Sequence, residues 1–91
     1  MADPLRAKMG ALSARFAGQA AQHRADLAEA CKAQDCDAVI AKAHKLAGIA
    51  PMFGHAAIGE AALALEDAAE SGKLYDAEAA QLDALLARLQ A

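Results

Sequence analysis

The stretch Ala43-His44-Lys45-Leu46-Ala47-Gly48 is where residue types and spacing in this chain could do chemistry, and the chemistry would be group transfer. A neutral imidazole nitrogen is nucleophilic near physiological pH and leaves readily once it carries a group. On an α-helix, side chains three or four residues apart share a face, so Val39, Ala43, Leu46 and Ala50 form one apolar stripe. With that stripe facing the core, His44 points close to the opposite direction, into solvent. Its helical neighbours are Ile40, Ala41, Ala47 and Gly48, three of them small. Glycine inside a helix costs about 1 kcal/mol relative to alanine, so Gly48, one turn after the imidazole, asks for a reason. Room for an approaching surface is one. Lys42 and Lys45 flank the histidine, and no acid occurs between Asp37 and Glu60. This helix is therefore locally positive on an acidic chain, which favours an incoming phosphoryl group.

His44-Lys45-Leu46-Ala47-Gly48, followed by Phe53-Gly54, resembles the signature of histidine-containing phosphotransfer (HPt) domains of two-component phosphorelays. The resemblance runs from Phe16 to Leu89. It implies a small helical bundle in which His44 takes a phosphoryl group from an aspartate of a response-regulator receiver domain, or from a hybrid histidine kinase, and passes it to another receiver. It also implies a carrier without independent turnover and without a cofactor of its own, the Mg²⁺ and carboxylates sitting on the receiver. In that picture Ala47 and Gly48 permit close approach, Lys42 and Lys45 attract phosphate, and Ile40 belongs to an apolar docking patch. Glu66, one helix away, is the candidate to orient the second ring nitrogen. One position departs from the pattern: many members carry lysine three residues after the histidine, where this chain has Ala47, which leaves Lys45 or Lys42 as substitutes.

The elements that must hold this site are helices. Asp3-Pro4 reads as an N-cap with proline at the first helical position. Leu5, Met9, Leu12 and Phe16, then Leu27 and Cys31, recur at helical spacing. Gly10 and Gly18 interrupt this run, so it forms either one long helix or a short one followed by a longer one. Gln34-Asp35-Cys36-Asp37 is a polar break with an aspartate to cap the His44 helix, which should run to about Ala50, because Pro51 ends or kinks it. Met52 and Phe53 should cover the bundle's end and Gly54 should make a tight turn. Ile58, Ala61, Ala62, Leu65 and Ala69 mark the next helix, which stops near Ser71-Gly72. Asp76 should cap the last helix, carrying Leu82, Leu85, Leu86 and Leu89. The expectation is a single all-α domain over residues 1–91, an antiparallel four-helix bundle with room for a short extra N-terminal helix.

Composition narrows the function classes. The hydrophobic share is 57%, rich in alanine with aromatics scarce, which suits close-packed helices better than a sheet. The formal charge is −3, and no basic run pairs with stacking aromatics, which argues against nucleic acid. No apolar run reaches the roughly 20 residues that span a bilayer, and the start lacks a secretory pattern, so the expected location is the cytoplasm, away from membranes. Cys31 and Cys36 are expected to be reduced thiols. His23 and His55 show no metal-ligand spacing, and no metal is expected. The hydroxyls of Ser13 and Ser71 lie in no nucleophile motif. A monomer is expected if the bundle buries all its leucine stripes. The rival to the carrier reading is a non-catalytic helical adaptor that binds a partner helix through Ile40, Ala47 and Gly48, with His44 incidental.

Overall fold

The computed structural model describes residues 4–90, and the side chains of all of these except residues 4–7 and 9. Five helices follow one another: α1 (Pro4–Gly18), α2 (Ala20–Lys32), α3 (Cys36–Met52), α4 (Ala56–Glu70) and α5 (Asp76–Arg88), with no strand among the described residues. The all-α expectation holds. Helices α2 to α5 close into a ring in which each contacts its two neighbours, α3 against α4 most extensively, while α1 leads into α2 and touches the ring only sparsely. Connections of three to five residues fold α3, α4 and α5 back on their predecessors.

The first helical segment differs from both forms that its glycines suggested. It breaks at Gln19 into helices of 15 and 13 residues, neither of them short. Gln19 (φ −99°, ψ 1°) tightens the turn. Its N–H bonds the Phe16 carbonyl at 3.0 Å, and the His23 N–H bonds the Gln19 carbonyl at 3.1 Å. Phe16 and Ala20, four residues apart on either side of it, are both fully buried, so the buried face runs on across the break. The expected cap Asp3 and the side chains of Leu5 and Met9 lie outside the described residues.

Helix α3 begins as its sequence requires: the Asp35 carboxylate accepts from the Ala38 N–H at 3.1 Å, satisfying one of the donors that a helix start leaves open. Val39, Ala43, Leu46 and Ala50 are all fully buried. Pro51 sits in the last turn, the helix ends at Met52, and Gly54 (φ +88°) makes the turn in a left-handed conformation that favours glycine. Phe53 packs on the core from the bundle's end. Met52 does not: its side chain is exposed, because it points away from the α3 stripe. At the start of α5 the N-cap position is Tyr75, without a side-chain bond, and Asp76 is the first helical residue. Asp76 therefore acts there as a first-turn acid with Glu78, favourable to the helix dipole, and not as the expected cap.

Phe16, Val39, Leu46, Leu65, Leu82 and Leu86 form the fully buried centre, and burying a side chain of this kind contributes about 1.5–3 kcal/mol. Phe16 lies between two imidazoles, with ring centroids 5.2 Å from His23 and 5.1 Å from His55, and meets Phe53 edge-on at 5.9 Å. His55 Nε2 also lies 3.1 Å from Ser13 Oγ and 3.2 Å from the Ser13 carbonyl, tying α1 to the α3–α4 turn. On the opposite side, Arg24 donates from Nε and a terminal nitrogen to both oxygens of Asp83, at 2.8 and 3.1 Å, and joins α2 to α5.

Candidate functional site

His44 projects from the middle of α3, its side chain 77% exposed. Its Nδ1 lies 2.7 Å from Glu66 Oε2 on α4, and the Glu66 side chain is only 11% exposed. A carboxylate can only accept, so Nδ1–H is the donor and this bond fixes the tautomer. The lone pair is then on Nε2, the ring nitrogen that faces away from α4. A buried carboxylate that holds one nitrogen of an exposed imidazole leaves the other oriented, nucleophilic and accessible.

Beside the imidazole runs a groove of about 510 Å³ between α3 and α4. Ala47, Gly48 and Pro51 form its α3 side, and Ala56, Gly59, Glu60, Leu63 and Glu66 its α4 side. Its floor exists because the two helices touch at Gly59: a Cβ there would lie 2.4 Å from Pro51 Cγ and 2.8 Å from Pro51 Cδ. Any side chain at 59 would push α4 off α3. Gly48 is the opposite case, since a Cβ built on it meets nothing within 4 Å. Packing among the described residues leaves room for a side chain there.

The two lysines part company with the site. Lys42 is turned toward α2, where its ammonium lies 2.9 Å from His23 Nδ1 and 3.3 Å from Asp26 Oδ2. Residues i and i+2 on a helix diverge by about 200°, so Lys42 and His44 occupy different faces. Lys45, three residues after Lys42, shares its face; it is exposed and close enough to His23 to help lower that residue's pKa. The main cause of that lowering is burial, with Lys42 next. Lys42 donates to Nδ1, so the His23 proton sits on Nε2, which is buried without a partner among the described residues. Asp26 is held below the usual carboxylate range by its bonds to Gln22 and Lys42. Ile40 is half-buried against the core, one turn before His44, and does not line the groove. Among the predicted residues, His44, Ala47, Gly48 and Glu66 thus line one groove, which Lys42, Lys45 and Ile40 do not line.

Glu60, Leu63, Gly59, Pro51 and Ala56 are the groove residues not singled out from the sequence. A signal was present in α4: Ala56, Glu60, Leu63 and Glu66 recur at intervals of three and four beside the buried stripe, and Leu63 is apolar yet half exposed. A second groove, of about 470 Å³ between α2 and α5, is lined by Arg24, Leu27, Cys31 and Asp83 among others. Its charges already pair with each other, and burial raises the Cys31 thiol above its ordinary pKa, which leaves it a poor nucleophile. Cys31 and Cys36 are free thiols. Among the described residues no three His, Cys, Asp or Glu side chains come together as a metal site, and no helix is long and apolar enough to cross a membrane.

The family model of the Hpt domain matches residues 11–91, which include all of the groove. No curated protein and no solved structure matches the chain.

Proposed function

The chain belongs to the Hpt domain family, and from that premise we propose that it is a phosphorelay intermediate that carries a phosphoryl group on His44 to or from the aspartate of a receiver domain. The observation that supports this most is the pairing of an exposed imidazole with a buried carboxylate, 2.7 Å apart at Nδ1. In the step proposed, the Nε2 lone pair attacks the phosphorus of an aspartyl phosphate. The N–P bond forms as the P–O bond to the acyl oxygen breaks, and that electron pair leaves with the aspartate carboxylate. The ring becomes a phosphorylated imidazolium that keeps its Nδ1 proton, with Glu66 as counter-ion, so no proton has to move. In reverse, a carboxylate oxygen attacks phosphorus and neutral imidazole departs with the N–P pair.

Phosphoryl transfer depends on positioning and charge stabilisation, and this chain supplies the positioning. Glu66 orients the ring, while Gly48 and Ala47 keep the edge of the groove low enough for a receiver to bring its phosphorus to Nε2. Mg²⁺ and the acidic residues that bind it sit on the receiver in this reading. The carrier has no turnover of its own and works in the cytoplasm as a monomer.

The test is incubation with a panel of phosphorylated receiver domains and Mg²⁺, following label onto wild type and His44→Gln. Acid-labile label that requires His44 is expected. His44 is exposed, so the variant keeps its fold and the loss is chemical. A folded wild type that takes no label from any receiver overturns the proposal and favours an adaptor whose apolar groove binds a partner without transfer.

A further inference from the structure

The charges around the groove are distributed one-sidedly. Glu66 is engaged by the imidazole, whereas Glu60, on the same groove, is exposed and makes no hydrogen bond or ion pair with any described residue. No lysine or arginine lines the groove: Lys42 is committed to Asp26 and His23, and Lys45 shares its face. Between Glu60 and Glu66 stands Leu63, half exposed, facing Ala47, Gly48 and Pro51 across the groove. The surface beside Nε2 is thus an apolar trough with one unpaired carboxylate on its rim.

We propose that Glu60 is the specificity-determining residue of this groove, admitting receiver domains that present a lysine or arginine beside an apolar patch and rejecting those that present a carboxylate there. The proposal rests on the carrier reading and names the partner chemistry of that same site. A charge on the rim of an interface acts mainly on association and on the choice of partner, because like charges brought together there are penalised and opposite ones steer the encounter. The reaction sharpens the requirement. The group transferred is an anion that a carboxylate on the same groove disfavours, and no lysine or arginine of this chain lines the groove to offset it. A basic residue on the partner meets both needs, pairing with Glu60 and offsetting its field at the phosphorus.

The experiment compares two phosphodonors on the full chain: a receiver domain that labels wild type and carries a basic residue at the rim of its docking face, and phosphoramidate, which does not dock. The readout is the ratio of the two second-order rates, for wild type, Glu60→Gln and Glu60→Lys, at low and high salt. We expect the ratio to fall about threefold in Glu60→Gln and about tenfold in Glu60→Lys at low salt. The difference should shrink as salt screens it, and a lysine-to-glutamate exchange on the receiver rim should restore the ratio for Glu60→Lys. An unchanged ratio, or a fall shared equally by both donors, overturns the selection role while leaving the carrier reading intact. Absence of label on wild type from every receiver domain tried overturns both.

Discussion

Of two glycines exchanged for alanine, one should raise the stability of this protein and the other should not. Gly48 and Gly59 face the same groove from opposite helices. At Gly48 the added methyl meets nothing within 4 Å, so Gly48→Ala keeps only the helix-propensity gain of about 1 kcal/mol. For a domain near this size 1 kcal/mol raises Tm by about 4–8 °C. At Gly59 the same methyl falls 2.4 Å from Pro51 Cγ and 2.8 Å from Cδ. The pyrrolidine ring is closed and cannot swing aside as a flexible side chain would, so α4 must move. Overpacking of this kind costs about 1–3 kcal/mol, which exceeds or cancels the propensity gain and leaves Gly59→Ala neutral to about 2 kcal/mol less stable. Urea and thermal unfolding followed by helical circular dichroism measure both. A Gly48→Ala protein no more stable than wild type, or a Gly59→Ala protein that is more stable, would refute the reasoning. The functional half uses a larger side chain: Gly48→Leu should fold and yet transfer slowly, because its bulk stands where a receiver would dock. Wild-type transfer in that variant would remove the close-approach argument.

Glu66→Gln keeps the shape of the carboxylate but loses the charge opposite the imidazolium, and a charge-assisted bond of about 1.5–3 kcal/mol converts to a transfer rate lower by about 10- to 100-fold, read in single-turnover assays. The acid side of the stability profile should carry the signature of His23. Burial and Lys42 hold its folded pKa below 6.5, so the unfolded chain binds the extra proton first, and stability should fall as pH drops from 6.5 toward the folded value and then level off. Urea melts at several pH values would show this slope in wild type and a flatter one in His23→Gln; equal slopes would refute it. His55→Ala removes the contacts to Ser13 and one face of the Phe16 stack. Amide exchange should then accelerate in α1 with little change in α4 and α5, and uniform acceleration would contradict a local tie.

Much of this architecture was legible from the phase of apolar residues. Val39, Ala43, Leu46 and Ala50 had to share a face, and once that face was buried His44 had to be exposed; both follow from helical periodicity alone. Glu66 was legible as a partner because one carboxylate on the neighbouring helix is enough to hold a ring nitrogen. Lys42 was not. Its position fixes its face, but a long flexible stem chooses its partner by what neighbouring helices offer, and Asp26 with His23 on α2 offered more than solvent near His44. Gly59 looked like another small residue in an alanine-rich helix, since its contact with Pro51 depends on how closely α3 and α4 pack. The Gln19 break falls one residue after Gly18, and the buried face runs on across it from Phe16 to Ala20, so periodicity carried no sign of where the helix would stop.

The contact between Pro51 and Gly59 also has a meaning along a lineage. A proline ring seated 2.4 Å from where a Cβ would stand makes the two positions one unit of inheritance. While Pro51 remains, substitutions at 59 are penalised; once Pro51 is replaced by a smaller residue, position 59 is released to drift. Descendants of this chain should therefore either keep the pair or lose it in one order, the proline first and the glycine after.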